Sequence, residues 1–213
     1  VFDHPKDKLD FVIKEKQNDR LDLIYLELLT EDSLNIDYHY GLISNYYAFD
    51  PAFRIIDEKR LSDNYWLYSE SNEPSASDIG FYSLGLMASM NQNYNDALIH
   101  FTRVSNSRLK YLNNSIGRVY HETSDYEKAE EYYRKSIEVK GNLEGAYSNL
   151  IELYYSQRRM NDLYLLIKDK DARPYFPSSL KRYLYLSNFN LFGYFQSVFT
   201  HTYQNQSLIG FLG

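Results

Sequence analysis

The chain has 213 residues, and its 23 Lys and Arg residues stand against 29 Asp and Glu residues, which gives a formal net charge of −6. This length allows one large domain or two small ones, with enough apolar material for a core. The negative balance argues against a general nucleic-acid-binding surface. The chain has no cysteine, so a disulfide framework and a thiolate metal site are excluded.

The N-terminal region, residues 1–34, contains two helical patterns. Residues 6–17 form a short amphipathic pattern. Residues 20–30 place apolar side chains at i, i+3, i+4, i+7 and i+8, which favours a helix. These side chains are Leu21, Ile24, Tyr25, Leu28 and Leu29. We predict that the two helices form a cap, because the end of a helical stack would otherwise expose an apolar face.

Residues 36–49 and 144–157 share an internal pattern. Both contain Leu-Ile, two intervening residues and Tyr-Tyr, beginning at Leu42 in the first segment and at Leu150 in the second. A repeated pattern of this kind indicates a repeated structural unit. We therefore predict an equivalent helix at both places.

Residues 51–70 supply a partner helix for the first of these segments. Pro51 suits the first turn of a helix, and we place an internal break near Ser62. Residues 69–78 are polar with one proline, which is typical of a loop.

Small residues recur at a constant spacing further along the chain. Three pairs are separated by the same interval: Gly85 and Gly117, Ala97 and Ala129, and Phe101 and Tyr133. Three equal offsets predict helix pairs at about 78–110 and 110–143. A third copy, at about 144–177, has Ile151 and Leu163 in the glycine and alanine positions. Each follows its counterpart, Gly117 or Ala129, by 34 residues rather than 32.

Residues 110–143 show the repeat most clearly. One helix carries Ile116, Gly117 and Tyr120, a turn follows at Ser124 and Asp125, which we predict as helix N-caps, and a second helix carries Ala129, Tyr133 and Ile137. This pattern resembles the tetratricopeptide repeat. The resemblance implies an all-α fold, a right-handed α-α superhelix, with helical repeats over residues 35–177 (about 36–70, 78–110, 110–143 and 144–177). It also implies a scaffold that binds a protein or peptide partner.

The C-terminal region, residues 178–213, has a different composition. After Asp171 there are no acidic residues but three basic ones, so residues 172–213 carry +3 and the rest of the chain −9 (20 basic against 29 acidic). Residues 179–204 form an aromatic, apolar helical pattern. We predict either a capping helix or a membrane-proximal helix, with membrane contact through residues 179–213. The chain starts at Val1 and stops within an apolar pattern, so we expect a piece of a longer protein.

The sequence indicates no catalytic site. Its five histidines are scattered, and His121-Glu122 lacks the second histidine of an HExxH motif because Asp125 stands there. Walker A, GxGxxG and GxSxG motifs are absent from the sequence. We therefore predict no catalytic residue, no metal site and no cofactor, and a structural or solvent-exposed role for each histidine.

A binding surface is the better candidate. The repeat register places polar and aromatic side chains of the first helices on the concave side, in a groove suited to a peptide or a helix. These candidates are Tyr82, Ser89, Asn114, Arg118, His121, Ser148, Glu152 and Tyr155. Chaperone-binding members of the resembled family clamp a carboxylate with Lys and Asn at positions where this chain has Tyr82 and Leu86, so we do not carry that activity over.

Other arrangements stay open from the sequence. A repeat domain that leads into an apolar tail also resembles the soluble part of PrsW-type intramembrane metalloproteases, whose catalytic motifs would lie beyond Gly213. That reading places the domain in the cytoplasm, at the cytoplasmic face of a membrane. An extracytoplasmic lipoprotein is the alternative location. The oligomeric state is open as well.

Overall fold

The computed structural model describes residues 21–48 and 56–176, and these ranges contain nine α-helices and no strand. The helices are α1 (Leu21–Glu31), α2 (Ile36–Ala48), α3 (Glu58–Ser69), α4 (Pro74–Met90), α5 (Tyr94–Thr102), α6 (Leu112–Glu122), α7 (Tyr126–Glu138), α8 (Leu143–Ser156) and α9 (Met160–Lys168). A short 3₁₀ helix follows at Arg173–Tyr175. The predictions for residues 6–17, Pro51 and residues 178–213 lie outside the described ranges.

The chain divides into two compact units, Val1–Ser107 and Arg108–Gly213. In the first unit α1 packs on α2, α2 on α4, α3 on α4 and α4 on α5. In the second unit α6 packs on α7, α7 on α8, α8 on α9 and α6 on α8, while the 3₁₀ helix packs on α8. Helices that are one or two places apart along the chain therefore pack on one another within each unit, which confirms the predicted all-α helical-repeat fold.

Two glycines set the crossing between paired helices. A Cβ atom added at Gly85 would lie 2.6 Å from Cδ1 and Cε1 of Phe101 and 3.2 Å from the carbonyl oxygen of Ala97. A Cβ atom added at Gly117 would meet the corresponding atoms of Tyr133 and Ala129 at the same distances. The absent side chain lets an aromatic ring of the second helix lie against the backbone of the first. The predicted register, in which glycine, alanine and an aromatic residue recur together, is confirmed.

The turn between paired helices also recurs. One residue in each turn has a left-handed backbone, with φ of 62° at Gln92, 64° at Ser124 and 55° at Arg158. The next residue donates its N–H to the carbonyl five positions earlier, as in the 2.8 Å bond from Asp125 to Tyr120. This hydrogen bond closes a Schellman motif at the end of the first helix. The cap prediction is right for Asp125, which accepts a hydrogen bond from the Lys128 N–H, whereas Ser124 is the left-handed turn residue.

The third helix pair fills its crossing with larger side chains. Ile151 and Leu163, which replace the glycine and alanine, are buried in one apolar cluster with Leu150 and Ile167. Ala172 and Phe176 complete this cluster and are fully buried. The mainly polar segment after α9 therefore packs back onto the core of the third pair through Ala172 and Phe176.

Leu42 and Leu150 begin segments with the same burial pattern, as the internal match predicts. The Leu, the Ile and the first Tyr are buried in both copies.

Within the first unit, two local predictions are wrong. Helix α4 begins at Pro74, inside the predicted loop 69–78, because proline is well suited to the first turn of a helix. Helix α3 runs through Ser62 without a break and is capped by Asp57, whose side chain accepts from the N–H groups of Lys59 and Arg60.

A buried histidine joins α2 to α3. His39 Nε2 lies 2.9 Å from the carbonyl oxygen of Ser33, and His39 Nδ1 lies 3.1 Å from the hydroxyl oxygen of Tyr65. Since a carbonyl oxygen only accepts, Nε2 carries the proton and Nδ1 accepts from Tyr65. Burial lowers the pKa of His39, although the hydrogen bond to Ser33 and the charge of Asp32 oppose this shift. The neutral imidazole is thus a structural element of the first unit.

We expect Gly117→Ala to lower the free energy of unfolding by about 1–3 kcal/mol, because the new methyl group would overlap the buried ring of Tyr133. Gly41→Ala is the control. Its methyl group would meet the ring of Tyr25, which is only partly buried and can move outward. Denaturant titration should show the larger loss for Gly117→Ala. A gain in stability, as expected for Gly→Ala in an open helix, would contradict the close crossing.

We expect acidification to destabilise the protein partly through His39. Because the folded-state pKa lies below the unfolded value of 6.5, the folded state binds fewer protons. The stabilisation is fully present above pH 6.5 and is lost as the pH falls through the lowered folded-state pKa. His39→Gln can keep both hydrogen bonds and does not titrate. Its Tm should therefore fall less than that of the unaltered protein between about pH 7.5 and about pH 5; equal losses would rule out this role.

Candidate partner-binding surface

The residues predicted to line the groove divide between the two units. Tyr82 and Ser89 lie on α4 of the first unit. Tyr82 is fully buried, and its ring lies 5.8 Å from that of Phe101. It therefore offers no surface to a partner, which corrects the prediction for this residue. Ser89 is partly buried.

The other six predicted residues lie in the second unit, on two helices that pack side by side. Helix α6 carries Asn114, Arg118 and His121, and helix α8 carries Ser148, Glu152 and Tyr155. Each set has the spacing i, i+4, i+7, which places its members on one side of a helix. All three members of the second set follow their counterparts at the same interval, so the two sets occupy the same positions in consecutive repeats. We call these six residues the first-helix face.

Asn114 holds the two helices together rather than facing solvent. Asn114 is buried, and its side-chain oxygen accepts a 3.1 Å hydrogen bond from the side-chain nitrogen of Asn149. The other five residues of the first-helix face are partly exposed. They leave a mixed surface of one cation, one carboxylate, one imidazole, one hydroxyl and one phenol.

Arg118 and Glu152 occupy equivalent positions and carry opposite charges. Burial raises the pKa of the Glu152 carboxyl group and the nearby charge of Glu122 raises it further, while the charge of Arg118 lowers it. Within residues 21–48 and 56–176, neither Arg118 nor Glu152 forms a hydrogen bond or an ion pair through its side chain. The carboxyl group is thus partly desolvated and has no direct partner in the described structure.

His121 is held against the second helix of its own repeat. Its Nδ1 lies 3.3 Å from the hydroxyl oxygen of Tyr133, and its ring packs edge-on against Tyr126 and Tyr133. Burial lowers the pKa of His121, the charge of Glu122 opposes that shift, and Arg118 adds to it. The imidazole therefore favours its neutral form, and Arg118 is the only cation of the first-helix face at neutral pH.

Two relevant residues were missed by the sequence analysis. Glu122 lies one turn after Arg118 on α6 and interacts electrostatically with both Glu152 and His121. The i, i+4 spacing from Arg118 was sufficient to identify it. Asn149 was not identifiable in this way, because only the packing of α6 on α8 brings it to Asn114.

A second polar cluster lies between α7, α8 and α9. Glu130 accepts hydrogen bonds from Arg134 (2.9 Å), from the hydroxyl of Tyr154 (2.7 Å) and from Arg159. Burial opposes ionisation of Glu130, but these three donors together outweigh it and lower the pKa of the carboxyl group. The Arg159 guanidinium also lies over the Tyr154 ring, 4.7 Å from its centroid. Each of these three side chains donates to Glu130, which suits a structural role.

The described residues give no sign of metal chemistry: in that part of the chain, no three His, Asp or Glu side chains are close enough to hold an ion. Among the helices from Leu21 to Lys168, none combines the length and the apolar character needed to cross a membrane. Membrane contact through residues 179–213 and the protease resemblance lie outside the described ranges and stay predictions.

Paired helices with a repeated crossing, a repeated turn and aligned polar positions define an α-helical repeat protein. Residues 111–143 match the family model of the tetratricopeptide repeat. The match covers α6 and α7 and ends at the first residue of α8, so this part of the chain is a tetratricopeptide-like repeat within an all-α helical-repeat fold. No curated protein matches the chain, and no solved structure matches it either. The repeat supports a protein-interaction module in general, and a repeat of this kind is generally non-catalytic.

We expect Glu152→Gln to stabilise the protein at neutral pH. Because the folded-state pKa of Glu152 is raised above its ordinary 4.5, the folded state binds more protons there, and stability is lost as the pH rises through this window. The amide removes that loss, so the gain in Tm should be present at about pH 7 and disappear below about pH 4. Glu131→Gln, at an exposed position paired with Lys135, is the control and should give no such gain. A lower Tm for Glu152→Gln at neutral pH would show that the carboxylate is stabilising.

Proposed function

We propose that this chain is a non-catalytic protein-interaction module that binds a peptide or helix of a partner protein along α6 and α8, the first helices of the two helix pairs in the second unit. In the second unit the contact surface is the first-helix face, with Arg118, Glu152 and Tyr155 as its principal contacts. The observation that carries the proposal is the pair Arg118 and Glu152. Two opposite charges stand at equivalent positions of consecutive repeats, and no described side chain pairs with either.

The contrast with Glu130 supports this assignment. Both carboxylates lie in the second unit and both are partly buried, yet Glu130 accepts from three donors and Glu152 from none of the described residues. A desolvated charge without a partner costs free energy, and a ligand that supplies the partner recovers that cost. Tyr155 adds an amphipathic aromatic side chain of the kind that is enriched at interfaces.

The first test is binding to a random peptide library with the whole chain as bait. We expect enriched peptides to bind the unaltered protein and to lose affinity for Arg118→Glu combined with Tyr155→Ala. Loss of an anchor charge and an anchor ring together should cost roughly tenfold or more in Kd. The double variant should stay folded, with a small loss of Tm at neutral pH because a glutamate at position 118 repels Glu122 and Glu152.

The matched control makes the same two chemical changes elsewhere in the second unit. Arg158→Glu combined with Tyr164→Ala alters two exposed residues, one in the turn before α9 and one on α9 itself. This variant should bind as the unaltered protein does. Equal loss in both double variants, or loss in neither, would place the binding surface away from the first-helix face.

A further inference from the structure

The Glu152 carboxyl group and the charged groups around it are predominantly negative. The charged side chains nearest to it are Arg118 and Glu122, both on α6. One positive and two negative groups leave this part of the first-helix face with a net charge of −1 when all three are ionised. The aromatic groups beside them, on α6, α7 and α8, are His121, whose pKa is lowered, and the phenols Tyr133 and Tyr155. The local field therefore favours a cation.

Arg118 does not act as this cation within the described structure. It occupies the position equivalent to Glu152 one repeat earlier, and the two side chains form no ion pair there. Arg118 and Glu152 differ in this respect from Arg159 and Glu130. Arg159, in the turn between α8 and α9, forms a direct ion pair with Glu130 on α7. The Arg118 guanidinium therefore interacts with Glu152 electrostatically without a hydrogen bond. The carboxylate oxygens of Glu152 remain available to accept a hydrogen bond from a ligand.

We infer that the first-helix face takes a Lys or Arg side chain of the partner segment at Glu152. This inference rests on the proposed function and specifies its partner as a basic segment. The cation would donate charge-assisted hydrogen bonds to a carboxylate that receives none from the described residues, which makes the contact stronger than a neutral hydrogen bond. The Arg118 guanidinium, at the same position of the preceding repeat, favours a carbonyl or carboxylate in the neighbouring part of the same segment.

The pH dependence of binding follows from the same geometry. Only the ionised Glu152 attracts a cation, and desolvation favours its protonated form. Affinity for a basic peptide should therefore fall on acidification at a higher pH than for an exposed glutamate. A bound cation should lower the pKa of Glu152, so that binding releases protons in the titration range of the carboxyl group.

The test uses the whole chain and three oriented peptide libraries that are identical except for a fixed central Lys, Gln or Glu. We expect the unaltered protein to retain the Lys library preferentially. Glu152→Gln should reduce that preference by roughly tenfold or more, and Glu152→Lys should shift it towards the Glu library. Glu131→Lys makes the same charge change at an exposed position on α7 and should keep the original preference. Thermal melts of each variant show that it is folded.

Each outcome decides between the two proposals. If binding depends on Arg118 and Tyr155 but is equal for the Lys and Gln libraries, the inference is overturned and the proposed function stands. If Glu152→Lys is folded yet keeps the Lys preference, the inference is overturned as well. If no library binds in a manner that depends on the first-helix face, both are overturned.

Discussion

The absence of a side chain at Gly85 and Gly117 is the constraint on which the α4–α5 and α6–α7 pairs depend. Each glycine lets an aromatic ring of the following helix lie against its backbone, and the distances at the two crossings are equal. This contact fixes which side of each helix faces its partner and, with it, which side faces solvent. Arg118, next to Gly117, owes its partial exposure to this rotation of α6. The proposed binding surface is therefore a consequence of the crossing, although none of its charged residues takes part in the glycine–aromatic contact.

The third pair shows that the repeat tolerates loss of this contact. Ile151 occupies the glycine position, and the ring of the earlier repeats is replaced by the branched side chain of Ile167. Ile151 is larger than the glycine of the earlier repeats, and Ile167 is smaller than their aromatic residue, so the two changes in side-chain volume offset each other. Core substitutions that conserve total volume are the best tolerated. The left-handed turn at Arg158 is retained. Turn geometry and total core volume, rather than particular residues, are thus the common features of the three pairs.

The register was predictable because glycine, alanine and aromatic residues recur at equal offsets in the sequence. The orientation of individual side chains was predictable only in part. Arg118 and Glu152 were placed correctly on neighbouring helices, whereas Tyr82, at the position of Asn114, turned out to be a core residue packed on Phe101. A phenol suits either a core or a surface, so its residue type could not decide. Tyr154 on α8 and Arg159 immediately before α9 reach Glu130 over 24 and 29 residues along the chain, so the spacing within one helix could not predict these contacts.

The Glu130 cluster limits where the chain can be cut. Two of the three donors to this carboxylate, Tyr154 and Arg159, follow α7 in sequence, and Arg159 stands immediately before α9. A shortened protein that ends after the matched repeat at residue 143 would keep Arg134 as the only one of these donors. It would also expose Ala129 and Tyr133, which are buried in the apolar cluster that includes α8. The unit recognised by sequence similarity is therefore smaller than the unit that satisfies its own buried groups, and an excised domain would need to extend through Phe176.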